Sequence, residues 1–207
     1  MIDKVIQSKA NVLTDMNTGC HMMFQGHQID NLALMYRLFK LGTTALTSIL
    51  DKLQEYIESK GKLIVADPEL VKNPIEFTRK LLEFKGEMDE IVERSFLNDV
   101  HFQKCRDNAF QNFMNSQELT PQYISAYCDS QMRVGFKGLQ DSEVTSQLDA
   151  IVRLFCCLHG RDIFIKSYTR YFGYRLLNKS YMSKDFEELM LQRLRVECGH
   201  NTVNKLA

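Results

Sequence analysis

The residues best suited to chemistry lie together in the last third of the chain, where Cys156, Cys157 and His159 fall within one helical turn. Cys156 and His159 are three residues apart, so a helix would place them on one face. A structural zinc site needs four ligands, commonly as two spaced pairs. The second pair would come from Cys198 with His200 or from Cys20 with His21. Neither spacing is typical of zinc, so the sequence favours small buried thiols over a metal site.

A cysteine nucleophile activated by histidine is the other chemistry open to these side chains. Such a pair needs spatial adjacency and a third group that orients the base, and no spacing in the sequence indicates either. The six cysteines also lack the dense pattern of a secreted disulfide framework, which favours reduced thiols. The sequence therefore predicts no catalytic, cofactor-binding or metal-binding residue, and no cofactor.

Aromatic residues beside arginines raise the alternative of nucleic-acid binding. The residues concerned are Tyr168, Arg170, Tyr171, Phe172, Tyr174 and Arg175. Bases of single-stranded nucleic acid stack on such platforms. The spacing here is helical, however, and 26 basic against 26 acidic residues leave a formal net charge of zero. A core with a polar rim is the better interpretation, and no nucleic-acid partner is predicted.

An acidic run, Asp185, Glu187 and Glu188, falls in the first turn of the last expected helix. Carboxylates there interact favourably with the helix dipole, by roughly 0.3–1 kcal/mol each. We therefore expect a structural role for this run and no catalytic carboxylate pair.

Targeting and membrane segments are not indicated by the sequence. The opening residues carry Asp3, Lys4 and Lys9 among apolar positions, whereas a secretory signal needs a continuous apolar core of roughly 7–15 residues. No run approaches the roughly 18 apolar residues of a membrane span. We expect no membrane association and a location in the cytoplasm or nucleus.

Helical periodicity dominates the chain, and the fold class predicted is all-α. After Asn73-Pro74, a cap residue followed by proline, apolar side chains return at three- and four-residue intervals. Helices are also expected over residues 32–39 and 46–57, the second ending at Gly61, with a connection near Gly42. Five further boundaries are predicted: caps at Asn98-Asp99, Thr120, Ser142 and Ser183, and a stop at Gly199.

Two of these helices supply the side chains expected to be mechanically important. They are Leu148, Ile151 and Phe155 on the first helix, and Phe164, Tyr168, Phe172 and Leu176 on the second. Val144, Val152 and Leu158 complete the apolar stripe of the first helix. Residues 135–140 form the weakest boundary in composition, a joint between two helical units.

Short motifs occur in a fixed order along nearly the whole chain. They are Met35-Tyr36-Arg37-Leu38-Phe39, Ser95-Phe96-Leu97-Asn98-Asp99, Tyr127-Cys128-Asp129-Ser130, Arg161-Asp162-Ile163-Phe164, Arg175-Leu176-Leu177 and Glu197-Cys198-Gly199. Their order and spacing resemble the cullins, the elongated scaffolds of RING-type ubiquitin ligases. The combination of Lys137-Gly138-Leu139, Glu143-Val144 and Asn73-Pro74 is most similar to the cullin that partners BTB-domain adaptors.

The resemblance implies antiparallel helical repeats followed by the start of a four-helix bundle. Residues 1–140 would be the end of one cullin repeat and most of the next, and residues 141–207 the truncated start of the C-terminal bundle. The adaptor-binding repeat would lie before Met1, and the RING-recruiting domain beyond Ala207. The BTB-type adaptor and the RING subunit would thus bind outside this sequence.

Three positions depart from the usual cullin pattern: Ile165 replaces an acidic residue, Gly173 an alanine and Thr202 a core phenylalanine. Because the bundle would lack some helices, we also expect residues 141–207 alone to be loosely packed, self-associating or dependent on sequence outside this range.

The function implied is that of a non-catalytic scaffold, which holds the substrate receptor and the RING–conjugating enzyme pair at a fixed separation for ubiquitin-dependent degradation. The alternative is a helical-rod interaction protein unrelated to ubiquitin, such as a vesicle-tethering subunit. A small helical enzyme using the cysteines is a third hypothesis.

Overall fold

A computed structural model describes residues 19–40 and 45–199. This part of the chain is helical throughout and contains no strand, which confirms the all-α prediction. Its helices are α1 (Cys20–Gln25), α2 (Ile29–Phe39), α3 (Ala45–Ala66), α4 (Pro68–Lys72), α5 (Pro74–Ser95), α6 (Val100–Met114), α7 (Thr120–Ser130), α8 (Asp141–Cys156), α9 (Arg161–Leu177) and α10 (Lys184–Cys198). A single π-helical turn, Gln131–Gly135, follows α7. None of the helices in the described ranges is both long and apolar enough to span a bilayer.

The chain divides into two compact units, and the first contains residues 19–40, 45–63 and 83–113 of the described chain. Its core is aromatic: Phe96 and Phe102 stack with ring centroids 4.1 Å apart, and the Tyr36 ring meets both edge-on at 5.7 and 5.6 Å. The Tyr36 hydroxyl donates to Asp99 at 2.9 Å. Asp99 also accepts from the His101 backbone N–H, so one carboxylate both begins α6 and anchors α2.

The second unit contains residues 64–82 and 114–199. Helix α9 packs mainly on α7, while α8 contacts α7, α9 and α10. The segment 135–140 lies within this unit. The assignment of residues 1–140 and 141–207 to a repeat region and a bundle concerns homologous units, and it stays a prediction.

Several predicted boundaries are confirmed. The Asn73 side chain accepts from the Glu76 N–H, Ser183 Oγ accepts from the Asp185 N–H, and Gly199 ends α10 with a φ of +77°. Asp99 caps α6 as expected. The predicted joint at Gly42 and the departure at Thr202 lie outside the described residues.

Two predicted caps were wrong. The Thr120 hydroxyl is buried and donates to the Met114 carbonyl, so it satisfies the preceding chain instead of the N-terminus of α7. Helix α8 begins one residue before Ser142, because Glu143 accepts from the Gln140 N–H and closes the first turn there.

The predicted helix end at Gly61 was also wrong, since α3 continues to Ala66. A Cβ atom at Gly61 would lie 2.4 Å from the Phe113 ring, far inside van der Waals contact. Here glycine serves close packing within the first unit and does not end the helix.

We therefore expect Gly61→Ala to destabilise the protein by about 1–3 kcal/mol, because the Phe113 ring must move to admit a methyl group. Gly173→Ala is the matched control: the glycine is in mid-helix, and a Cβ there meets nothing within 4 Å. It should stabilise by roughly 0.5–1 kcal/mol through reduced backbone entropy of the unfolded chain. Urea unfolding followed by circular dichroism measures both, and equal effects of the same sign would contradict this packing.

Candidate functional site

The most unusual arrangement in the described chain is a buried group of charges in the second unit, which we call the Arg175 cluster (Arg175, Glu187, Asp129 and Arg133). Arg175, on α9, has no solvent exposure. Its guanidinium donates to both carboxylate oxygens of Glu187, at 2.6 and 2.8 Å, and to Asp129 at 2.7 Å. Asp129 also pairs with Arg133 at 2.9 Å. Two positive charges therefore face two negative ones, and the cluster is neutral.

Each member of the cluster is supplied by a different structural element. Asp129 comes from the last turn of α7, Arg133 from the π-helical turn, Arg175 from α9 and Glu187 from the first turn of α10. A bidentate arginine–carboxylate pair is geometrically specific, because two parallel hydrogen bonds fix both side chains. The cluster therefore fixes α7, α9 and α10 at one point.

Aromatic rings enclose the Arg175 guanidinium. Its carbon lies 5.4 Å from the Tyr168 ring centroid and 5.9 Å from that of Phe172, within the range of cation–π attraction. Burial by itself would lower the pKa of Arg175, but the hydrogen bonds and charge of Glu187, with Asp129, outweigh burial and raise it above its ordinary value. Burial also holds the pKa of Tyr168 well above its usual range. Both groups keep their protons at all physiological pH values.

The apolar spacing along α9 does not indicate this cluster, because it predicts Leu176 as the next buried residue after Phe172. Leu176 is 43% exposed and Leu177 is 83% exposed. The stripe of Phe164, Tyr168 and Phe172 continues at Arg175. In a helix, the residues three and four positions after Phe172 both lie on the same face as Phe172, so either Arg175 or Leu176 could have continued the stripe. The other six side chains expected to be mechanical are buried: Leu148, Ile151, Phe155, Phe164, Tyr168 and Phe172.

The role predicted for the acidic run must be revised for Glu187. Asp185 is exposed in the first turn of α10, as expected for a side chain that interacts with the helix dipole. Glu188 is exposed too, but it lies just beyond that turn. Glu187 instead points inward, is 4% exposed and binds Arg175. The nucleic-acid platform is not assembled either, because Tyr168, Phe172 and Arg175 are buried in the core.

The six cysteines all lie in the described chain and are thiols. Cys156 Sγ donates to a Glu197 carboxylate oxygen at 3.1 Å, and Cys157 Sγ to the Arg153 carbonyl at 3.5 Å. Burial, with the neighbouring Glu197, raises the pKa of the Cys156 thiol to about 12. Among the residues that the structure describes, no three His, Cys, Asp or Glu side chains are placed to share a metal ion. His200, proposed as one member of a second ligand pair, lies outside the described residues.

Cys128 provides a direct test of core burial in the second unit. It is fully buried, and that burial raises the pKa of its thiol to about 12. The thiolate is the reactive form, and with this raised pKa the Cys128 thiol keeps its proton at pH 8. We expect iodoacetamide, followed by mass spectrometry, to label Cys128 only after urea is added. Rapid labelling in the native protein would contradict this placement.

The raised pKa of the Cys128 thiol also predicts how the stability of the protein changes at high pH. The folded-state pKa of Cys128 lies above its unfolded value of 9.0. The stability that this thiol contributes is therefore complete below pH 9 and is lost as the pH rises towards about 12, because only the unfolded state releases the proton readily.

Comparison with known proteins gives a consistent result over the whole sequence. The family described as the cullin alpha solenoid domain matches residues 1–207. Cullin-3A of Arabidopsis thaliana is 34% identical over 190 residues, which cover 92% of this chain and 26% of that protein. Cullin-3 of Dictyostelium discoideum is 32% identical over 204 residues, 98% of this chain and 26% of the relative. Cullin-3 of Caenorhabditis elegans is 31% identical over 197 residues. The chain thus spans about a quarter of the length of these relatives.

Proposed function

The chain belongs to the cullin family, most similar to Cullin-3, and on that premise we propose that it is a scaffold segment of a cullin–RING ubiquitin ligase. The observation that carries the proposal is the match along all 207 residues, together with more than 30% identity to several Cullin-3 proteins. The comparisons do not favour the alternative of a vesicle-tethering subunit.

The mechanism proposed is positional. One end of the complete scaffold would hold a substrate receptor, and the other a RING protein with a ubiquitin-charged conjugating enzyme. Transfer from the thioester to a substrate lysine then becomes effectively intramolecular, and its rate depends on how well the separation is maintained. A segment that deforms little would serve this purpose.

The packing within each unit supports such a role. Close-packed interiors have low compressibility, and the aromatic core of the first unit is of that kind. In the second unit, the Arg175 cluster adds directional bonds that a small displacement of α9 would break. The aromatic core and the Arg175 cluster could both resist deformation without any catalytic side chain.

We further propose that the segment is non-catalytic and works in the cytoplasm or nucleus. The raised pKa values of Cys128 and Cys156 keep these thiols protonated near neutral pH, where they are poor nucleophiles. The BTB-type adaptor and the RING subunit would be the protein partners of the complete scaffold. Insensitivity of ubiquitin transfer to Cys156→Ala and Cys157→Ala would support the non-catalytic role, and loss of transfer in a stably folded variant would overturn it.

The decisive experiment exchanges this segment into a relative. Residues 1–207 would replace the matching segment of Arabidopsis Cullin-3A, and the chimera would be purified with a BTB-domain adaptor, the RING subunit and a conjugating enzyme. We expect the chimera to bind both partners and to support ubiquitin transfer to an adaptor-bound substrate.

Two variants of the chimera test the contribution of the Arg175 cluster, one as a control and one as the test. Arg193→Met alters a half-exposed ion pair with Asp149 and should leave transfer unchanged. Arg175→Met breaks the buried cluster and should lower transfer with no loss of partner affinity. A folded chimera that binds both partners yet transfers no ubiquitin would overturn the proposal, because the segment would then not provide the required geometry.

A further inference from the structure

A cavity of about 520 Å³ opens beside helix α9, on the side of its exposed residues. We call it the α9 groove, and its lining residues are Gln122, Asp162, Ile163, Lys166, Ser167 and Arg170. Gln122 comes from the first turn of α7, and the other five come from the first ten residues of α9. All six residues therefore belong to the second unit. None of them is a member of the Arg175 cluster.

The groove has an uneven distribution of charge. Asp162 lies at the start of α9, and Lys166 and Arg170 follow at successive four-residue intervals, so the three share one helix face. Lys166 and Arg170 are exposed, and neither forms an ion pair with any residue that the structure describes. The Arg170 guanidinium lies 5.6 Å from the Tyr171 ring centroid. One end of the groove is thus acidic, and the other offers two available cations.

The uncharged groups complete a surface suited to a polypeptide. Ile163 is 38% exposed and provides an apolar contact between Asp162 and Lys166. The Gln122 amide and the Ser167 hydroxyl can donate to or accept from a peptide backbone. Together these groups offer one apolar contact, two backbone-type partners and two positive charges.

We infer that the α9 groove binds an acidic segment of a partner protein, in which an apolar side chain is followed by carboxylates. The apolar side chain would contact Ile163, and the carboxylates would pair with Lys166 and Arg170. Asp162 sets the orientation, because a carboxylate placed at its end of the groove would be repelled. The same charge and the formal neutrality of the chain disfavour a nucleic-acid strand, whose phosphates would have to pass Asp162.

The test uses the whole 207-residue chain and a short fluorescein-labelled peptide with one leucine followed by several glutamates. Its partner peptide has glutamine in place of every glutamate. Fluorescence anisotropy should show tighter binding of the glutamate peptide, and that binding should weaken as salt is added. Lys166→Glu combined with Arg170→Glu should lower the affinity by about tenfold, since two exposed pairs are lost and replaced by repulsion.

A charge-matched control separates the groove from the general surface. Lys104 and Lys179 are exposed and lie outside the groove, so Lys104→Glu combined with Lys179→Glu changes the net charge equally. This variant should bind the glutamate peptide as the native chain does. Ile163→Ala should weaken binding of the leucine-containing peptide. It should not change binding of a peptide in which glycine replaces the leucine.

Three outcomes would overturn the inference. They are equal binding of the glutamate and glutamine peptides, an equal loss in the control variant, or tighter binding of a single-stranded oligonucleotide that depends on Lys166 and Arg170. Because the measurement needs neither an adaptor nor a RING subunit, its failure would leave the ligase scaffold proposal standing, and the converse also holds.

Discussion

Replacement of Arg175 by methionine should destabilise the protein by about 3–5 kcal/mol, the largest effect that we expect from a single substitution. Methionine restores much of the side-chain volume but none of the hydrogen bonds. Glu187, which is 4% exposed, would then be left buried beside aromatic rings with no cation opposite it. A buried charge without a partner costs far more than the pair itself contributes.

The measurement is urea unfolding of the full chain, followed by circular dichroism and by the labelling of Cys128. Arg193→Met is the matched control: Arg193 bonds Asp149 at 2.7 Å, but the two side chains are 37% and 35% exposed. That substitution should cost about 0–1 kcal/mol. Equal costs for the two variants would show that Arg175 is not buried with its partners as described.

A second substitution distinguishes lost attraction from a stranded charge. Arg175→Met combined with Glu187→Gln removes the cation and the charge facing it, while Asp129 keeps its bond to Arg133. The double variant should be more stable than Arg175→Met alone, so that the two effects are not additive. Arg175→Lys should be damaging as well, because an ammonium group cannot reproduce the two parallel bonds to Glu187.

Residues 141–207 in isolation should fail to fold cooperatively. The fragment retains α8, α9 and α10 but lacks α7, against which α9 packs most extensively. The side chains of α9 that pack on α7 would meet water, and each large side chain exposed forgoes roughly 1.5–3 kcal/mol. Three or four of them amount to about 5–10 kcal/mol, comparable with the whole stability of a domain, roughly 5–15 kcal/mol.

The fragment of residues 114–207 is the control, because it restores α7 and returns Asp129 to Arg175. We expect it to be more helical and to melt over a narrower temperature range than residues 141–207. Analytical ultracentrifugation with thermal circular dichroism compares the two fragments. A sharp melt of a monomeric 141–207 fragment would contradict the expectation.

The apolar interior could be predicted from the sequence because period and burial agree along most helices. The apolar side chains that return at three- and four-residue intervals after Pro74 include Phe77, Leu81 and Met88 in α5, and all three are buried. Phe96, just beyond the end of α5, continues the same spacing and is also buried. Even the departure at Ile165 agrees with its surroundings, because that side chain is buried. The all-α fold follows from such stripes, since each one needs a partner helix to cover it.

The features that could not be predicted from the sequence depend on residues that are distant in the chain and meet only in the fold. An arginine in a helix is exposed far more often than it is buried, so no local pattern distinguishes Arg175 from a surface residue. Its burial depends on Asp129 and Glu187, which are 46 and 12 residues away in the sequence. The sequence predicts a helix end at Gly61 for the same reason, because the role of this glycine depends on Phe113. The α9 groove likewise arises only when Gln122 is brought beside α9.

The contact between Gly61 and Phe113 also limits the order in which this sequence can change over time. A larger residue at position 61 meets the phenylalanine ring at once, whereas a smaller residue at position 113 leaves a cavity that the fold can survive at a cost. Lineages that exchange the two sizes should therefore pass through the cavity before they fill it from the other side. Substitutions at the two positions should therefore be accepted in a fixed order, with the change at Phe113 before the change at Gly61.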